Sequence, residues 1–386
     1  MERAELESIV LATGVAEKRG GFVFLCDPQW TLAQRAEFRR LTQPIIENRK
    51  SKIKQGWLCI PTGGTGGGLK FARHDERTLG AAVRGFGRHF GLKRINAVGV
   101  LPLHHVSGLM ALLRCRHTGG RHVAWDWRKL EAGQRPALGR GAWTISLVPT
   151  QLQRLLRSRA ATAWLRKFAL VLVGGGPVWP DLADAAARAK LQIVLSYGLT
   201  ETAAMVAAQR PEEFIAGDRS NGRVLPHATV NIGRGGVVRV GGRSLFRGYF
   251  EERAQRRRFA TGDLGALDAE GRLEVLGRHD AIIITGGKKV HPAPVEAALR
   301  ATGKFTDVAV IGRPHPEWGE EVVACYPAGK RVAAAGLRLD GLAAYQRPKR
   351  FIAVRDWPRN AQGKVNRARL RAVVSGLADP GGERRG

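Results

Sequence analysis

Between Arg94 and Ser196 the chain alternates short apolar runs with amphipathic stretches at helical spacing. Arg94–Leu103, Arg121–Trp127, Trp143–Val148, Phe168–Val173 and Gln192–Ser196 read as strands, the last of them closing the series. Ser107–His117, Thr150–Ser158 and the alanine-rich Pro180–Lys190 read as helices, the first ending near Gly119-Gly120. A β-α-β-α succession of this kind predicts a largely parallel sheet covered by helices. From Arg223 to Val275 the pattern changes to short, glycine-punctuated strands, which predicts a β-rich subdomain. Gly277–Ala281 reads as a boundary, because Arg278-His-Asp280 separates two apolar strands. Beyond it the helices Pro294–Ala301 and Leu339–Tyr345 and the strands Asp307–Ile311 and Glu321–Tyr326 suffice for a small domain. The expectation is an α/β protein with a large domain over 1–278, containing the β-rich part at about 223–275, and a small α+β domain over 279–386.

The unusual residues sit where the predicted strands end. The strands run into Pro102-Leu-His-His105, Pro149-Thr-Gln151, Gly174-Gly-Gly-Pro177 and Tyr197-Gly-Leu-Thr-Glu201. Open parallel sheets bind ligands outside the carboxyl ends of their strands. One such stretch would be an ordinary turn. Four carrying His, Thr, Tyr and Glu point to a single crevice.

Composition sharpens the picture. With 386 residues, 44% apolar and 25% charged, the chain can bury a sizeable core, which excludes disorder as its main state. It has 63 Lys and Arg against 33 Asp and Glu, a net charge of +30 spread along its length. Such a field favours anionic partners. Zinc-finger spacing, an RNP aromatic motif and a basic helix are all missing, so a nucleic-acid module is disfavoured and phosphate-bearing small molecules are favoured. The four cysteines are far apart and suggest neither a zinc site nor a disulfide framework. The charged start Met1-Glu-Arg-Ala-Glu and the shortness of every apolar run predict a cytoplasmic chain without a transmembrane segment. The sequence sets no oligomeric state.

Four segments could carry chemistry. Pro61-Thr-Gly-Gly-Thr-Gly-Gly-Gly-Leu-Lys70 can wrap an anion with backbone N–H groups, although it matches neither a Walker A loop nor a Rossmann turn. Alone, it also fits a flexible surface loop. Ser196-Tyr-Gly-Leu-Thr-Glu-Thr202 places an aromatic ring, a hydroxyl and a carboxylate within five residues, able to meet a base, a phosphate and Mg²⁺. Thr261-Gly-Asp263 followed by Gly277-Arg278 offers a carboxylate and a guanidinium to ribose hydroxyls, and equally fits an Asp turn. Pro358-Arg-Asn-Ala-Gln-Gly-Lys364 ends in a lysine that, alone, reads as a solvated loop residue.

In their order these motifs resemble the acyl-adenylate-forming, or AMP-binding, superfamily, which includes acyl- and aryl-CoA ligases. Thr62–Phe71 resembles its phosphate loop, Tyr197–Glu201 its Tyr-Gly-x-Thr-Glu motif and Phe259–Gly265 its Thr-Gly-Asp motif. Gly277–Asp280 with Gly286-Gly287, Pro292 and Glu296 resembles its hinge and following loop, and Pro358–Lys364 its lysine motif. The phosphate loop departs from the pattern. Gly63 and Gly66 stand where hydroxyls are usual, Leu69 replaces Pro and Phe71 replaces Gly. Leu101–Leu109 and Ser146–Leu152 are similar to the o-succinylbenzoate–CoA ligases of menaquinone and phylloquinone synthesis. The short stretch before the loop is similar to their cyanobacterial form.

The resemblance implies ATP and CoA as co-substrates, Mg²⁺ as cofactor and a mobile small domain. It implies that Thr62, Gly63, Gly64, Thr65, Gly66, Gly67 and Lys70 hold the β- and γ-phosphates, Thr200 the α-phosphate and Glu201 the Mg²⁺. Tyr197 and Gly198 would meet adenine, Gly174, Gly175 and Gly176 line its pocket, and Asp263 and Arg278 hold ribose. His105, Ser107 and Thr150 are candidates for the acyl side. Lys364 would bridge carboxylate and α-phosphate, Asp280 would be the hinge, and Gly286 and Gly287 would approach CoA. Two alternatives stand beside this reading: an adenylating enzyme that loads a carrier protein, and a basic nucleic-acid-binding protein.

Overall fold

The computed structural model describes residues 21–47, 56–62, 68–252, 257–329, 337–339, 341–359 and 365–375. The chain divides into two compact units. The first comprises Met1–Val178, Leu182–Thr261 and Ala266–Val275; the second comprises Leu276–Gly386 with Trp179–Asp181 and Gly262–Gly265.

The centre of the first unit is a seven-stranded sheet. Its spatial order is Arg223–Val224, Ala204–Ala208, Ile193–Leu199, Leu170–Val173, Trp143–Leu147, Asn96–Gly99 and His122–Ala124. The last five of these run parallel. The central parallel strand Leu170–Val173 is a continuous apolar run, buried at every position, as a strand packed on both faces requires. Val171 and Val173 pack into one cluster with Ile145, Leu152, Leu165 and Leu182, while Leu170 and Leu172 face the other way onto Phe86, Ile95 and Val194.

Two corrections apply here. Ile193–Leu199 does not close the series, because Ala204–Ala208 turns back against it and Arg223–Val224 follows, both antiparallel. The short alanine-rich strand resembles helix in composition, and burial against the sheet decides otherwise. Tyr197 and Gly198 therefore lie inside a strand, at a register shift, rather than in a turn beyond it.

A three-stranded sheet, Gly21–Phe24, Gly56–Pro61 and Phe71–His74, precedes this one in sequence. The β-rich part is a four-stranded sheet, Ala228–Ile232, Val237–Gly242, Arg258–Leu267 and Leu273–Arg278. Val230, Val238 and Val240 of this sheet share a core with Tyr197, Val206 and Ala72.

The second unit is built on a five-stranded sheet. Gly319–Pro327 pairs with Ala309–His315, with Arg350–Val354 and with the hairpin Ile283–Thr285/Lys288–Val290. Alternation along Ala309–His315 sends Val310 toward Val295 and Leu299 of helix Pro292–Ala301, and Ala309 and Ile311 toward Leu370 and Val374 of helix Arg367–Ser375. The expected helix Leu339–Tyr345 does not form among the described residues. Gly341 takes φ +91° and only the 3₁₀ turn Ala344–Gln346 appears, while Leu339 and Leu342 enter the core as separate anchors. Cys59, Cys115 and Cys325 are buried, Cys26 is exposed, and all four are free thiols. No described helix is long and apolar enough to cross a membrane.

Candidate active site

In the first unit the glycine-rich loop springs from two paired strands. Pro61 lies opposite Phe71, and Thr62 N donates to Lys70 O at 2.9 Å, which closes the neck of the loop. Gly63, Gly64, Thr65, Gly66 and Gly67 lie outside the described residues. Lys70 emerges exposed at the neck, its Nζ 5.6 Å from the ring centre of Tyr249. Tyr249 in turn donates its hydroxyl to Glu201 Oε1 at 2.8 Å. The tyrosine is fixed by backbone: it bridges Ala72, and its neighbour Phe250 donates N–H to Phe71 O at 2.9 Å. The loop neck, one phenol and the buried Glu201 carboxylate thus form one array.

Glu201 sits in the 3₁₀ turn Thr200–Thr202. Ala203 and Ala204 follow at φ +53° and +73°, a left-handed conformation that costs free energy for any residue with a Cβ. The turn is clamped from several sides. Thr202 Oγ1 accepts from Leu199 N at 2.9 Å, and Phe246 N donates to Glu201 O at 2.8 Å. His74 Nε2 lies 2.8 Å from Thr200 O, and its Nδ1 lies 3.1 Å from Thr78 Oγ1. A carbonyl can only accept, so Nε2 carries the proton and Nδ1 is the unprotonated nitrogen beside the Thr78 hydroxyl. Burial lowers the His74 pKa to about 4 and keeps the ring neutral, as this arrangement requires. Gly198 is obligatory here, because a Cβ on it would stand 1.9 Å from Ala204 O. Tyr197 is packed in the core with 9% of its surface exposed, which leaves little ring face for stacking.

Three of the four strand ends lie side by side. A Cβ on Gly174 would lie 3.3 Å from Ser196 Oγ, one on Gly175 3.6 Å from Val148, and one on Gly176 3.9 Å from Pro149. Pro149 starts helix Pro149–Leu156, whose Gln151 side chain accepts from Val148 N at 3.0 Å. Gln151 is therefore a helix cap. Thr150 in the first turn is exposed. His105 precedes helix Val106–His117 without capping it, Ser107 is exposed, and His104 Nε2 lies 3.5 Å from Asp27 Oδ2.

In the second unit Arg278 joins two carboxylates. Its Nη1 is 3.4 Å from Asp263 Oδ1, and its Nη2 donates to Asp280 Oδ2 at 2.9 Å. The bond to Asp280 and the two negative charges raise the Arg278 pKa, and Arg278 holds the Asp280 carboxyl below its usual value. Gly286 and Gly287, at φ +54° and +74°, form the two-residue turn of their hairpin, a type I′ geometry for which glycine is suited at both positions. Lys364 lies outside the described residues. The chain on either side of it is closed by a bridge between Arg359 and Val365 and by Asn366 N donating to Pro358 O at 2.8 Å.

Glu201 suits Mg²⁺, a hard ion that takes one or two protein carboxylates and completes its shell with water and substrate phosphates. Two residues of the site escaped the sequence reading. Tyr249 belongs to no motif recognised there, and His74 is an isolated histidine whose partner is 126 positions away.

The profile of the AMP-binding enzyme family matches residues 18–250, and that of the AMP-binding enzyme C-terminal domain matches residues 294–364. A 2-succinylbenzoate–CoA ligase of Listeria monocytogenes is 32% identical over 287 residues, 70% of this chain and 60% of that protein. A probable 2-succinylbenzoate–CoA ligase of Mycobacterium tuberculosis is 33% identical over 344 residues, 83% of this chain and 85% of that protein. This chain thus spans three-fifths of the length of one relative and most of the other. The o-succinylbenzoate CoA synthetase of Bacillus subtilis, solved with its acyl-adenylate intermediate, has the same fold. It superposes with a TM-score of 0.80 at 24% identity, covering 96% of this chain and 86% of that one.

Proposed function

The chain belongs to the AMP-binding enzyme family, and from that premise we propose that it activates a carboxylic acid with ATP and passes the acyl group to CoA, the acid being o-succinylbenzoate of the menaquinone or phylloquinone route. The observation that carries the reading is the array of Lys70, Tyr249 and Glu201 at the neck of the glycine-rich loop, with the converging strand ends of the same unit. The named relatives support the choice of acid.

In the first half-reaction the acid's carboxylate oxygen attacks the α-phosphorus of ATP, and pyrophosphate leaves. Negative charge gathers on phosphate oxygens, and fixed donors and cations around them lower the barrier. Thr62, the loop backbone, Thr65 and Lys70 hold the outgoing phosphates, and Thr200 meets the α-phosphate. Glu201 would hold Mg²⁺, which neutralises phosphate charge when bound. Tyr249 orients Glu201 by its hydrogen bond and keeps the carboxylate from rotating. Asp263 and Arg278 receive the ribose, and Lys364 bridges carboxylate and α-phosphate. His105, Ser107 and Thr150 face the acyl group. In the second half-reaction the CoA thiol attacks the acyl carbon and AMP departs. Rotation of the small domain about Asp280 withdraws Lys364 between the two steps and brings the Gly286-Gly287 turn toward CoA. A cytoplasmic location is part of this proposal, since ATP and CoA are the co-substrates it names.

ATP–pyrophosphate exchange across a panel of acids tests the reading. Exchange with o-succinylbenzoate should far exceed that with benzoate, acetate or a long-chain fatty acid, and Tyr249→Phe should lower it about tenfold, the worth of one hydrogen bond to a charged group. Equal exchange with a fatty acid would overturn the choice of acid; no exchange with any acid would overturn the chemistry.

A further inference from the structure

One cluster offers a second kind of chemistry, although one of its members, His105, also stands among the residues proposed to face the acyl group. Asp27 follows the strand Gly21–Phe24, while His104 and His105 lie at the end of the strand Asn96–Gly99. One ligand-capable atom from each of the three side chains lies within 4.8 Å of the other two. The segments that bring them are independently anchored. Asp27 Oδ1 accepts from Gln29 N at 2.8 Å, Asp27 O accepts from Trp30 N at 3.1 Å, and His105 N donates to Pro102 O at 3.1 Å. Asp27 is buried, with 8% of its surface exposed, and presents its second oxygen to His104. The two imidazoles stand with ring centres 4.3 Å apart at 60°, so their nitrogens can be directed at one point without stacking. No described residue makes a hydrogen bond to the ring of His105.

We propose that Asp27, His104 and His105 form a site for a first-row divalent transition metal of the Zn²⁺ class. Two imidazoles and one carboxylate are a borderline-soft donor set that favours Zn²⁺, Co²⁺ or Ni²⁺ over Mg²⁺. In a tetrahedral site with bonds of about 2.0–2.1 Å the ligand atoms stand about 3.4 Å apart, so the three side chains, now within 4.8 Å of one another, would draw together on the ion. The neutral imidazole is the ligating form. Three protein ligands leave a fourth position to water. The ion would tie the segment after the first strand to the strand end that carries the histidine pair. This site is distinct from the Mg²⁺ position at Glu201, and the inference does not depend on the proposed activity.

The test uses the full chain without an affinity tag, without ATP, acid or CoA. Titration with Co²⁺ should produce visible d–d absorption saturating at one equivalent, and a fivefold excess of Mg²⁺ over Co²⁺ should not displace it. Zn²⁺ should raise the melting temperature, as any ligand that binds only the folded state does. Asp27→Asn and His105→Gln lie on separate segments. Each should weaken Co²⁺ binding at least tenfold and abolish the melting shift, while His315→Gln in the second unit should change neither. Absent absorption, displacement by Mg²⁺, or binding that survives in both site variants would overturn the proposal.

Discussion

Around Glu201 the polar contacts are largely sheltered: Thr200 O, Thr202 Oγ1 and Glu201 Oε1 each make a part-buried bond to a fixed partner from another part of the first unit or from the turn itself. Around Arg278 the contact with Asp280 is wet, while Asp263 is buried. The guanidinium spans Asp263 and Asp280 with its own side chain 43% exposed and that of Asp280 58% exposed. The two regions use the same kinds of atoms, yet their energetics differ. A buried donor or acceptor that loses its partner costs about 1–3 kcal/mol, because water cannot replace the bond. An exposed ion pair contributes about 0–1 kcal/mol, because water replaces it readily. The turn at Glu201 is thereby built to stay in place. The Arg278–Asp280 pair can open at small cost, which suits a segment proposed to act as a hinge.

Three substitutions can break or sharpen this contrast. Gly198→Ala should have the largest effect. Its Cβ would collide with Ala204 O, and relief requires moving the bulge that carries Thr200 and Glu201. Overpacking against backbone should cost about 3 kcal/mol, read as a lower denaturant midpoint at unchanged slope. A loss below about 0.5 kcal/mol would mean that the turn is not held as tightly as its contacts imply.

His74→Gln tests the clamp through pH. The Gln side-chain amide keeps a donor for Thr200 O and removes the titrating ring. His74 titrates at about 4 in the fold, against about 6.5 when unfolded. Its neutral form therefore contributes stability above about pH 6.5, and that stability is lost as pH falls toward 4. Between pH 7 and pH 5 the parent should lose about 2 kcal/mol more than the variant, measured by urea unfolding at each pH. Parallel pH profiles would remove His74 from the account.

Arg278→Lys should have the smallest effect on stability, within about 0.5 kcal/mol, because the positive charge beside Asp263 is kept and the pair with Asp280 is solvent-screened. A lysine cannot reach two carboxylates in the same fork, so the KM for ATP should rise while the unfolding midpoint stays. A large drop in stability would put this region in the same class as the Glu201 turn and erase the distinction.

Much of this was legible before the structure. The parallel strands and the residues at their ends follow from local apolar runs and turn residues, and Gly174–Gly176 stand beside Val148 and Ser196 as expected. The antiparallel strand Ala204–Ala208 was not legible, since its small residues carry no period and its conformation is imposed by pairing with Ile193–Leu199. Tyr249 and His74 were hidden for a different reason. Each reaches the turn through a contact with a residue 48 or 126 positions distant, and no local pattern encodes such a contact. Gln151 was read as part of a functional stretch and proves to be a helix cap, a role that its spacing from Val148 already allowed.

The distribution of the four thiols has a practical consequence. Burial pushes Cys115 and Cys325 up to about 12 and raises Cys59 further, so none offers thiolate to a reagent at ordinary pH. Cys26 is the exposed thiol of the four, although burial raises its pKa too. A maleimide dye in mildly alkaline buffer should therefore attach at one place, without removing any cysteine. That place adjoins Asp27 in sequence, where quenching of the dye by Co²⁺ would report the arrival of the ion in real time.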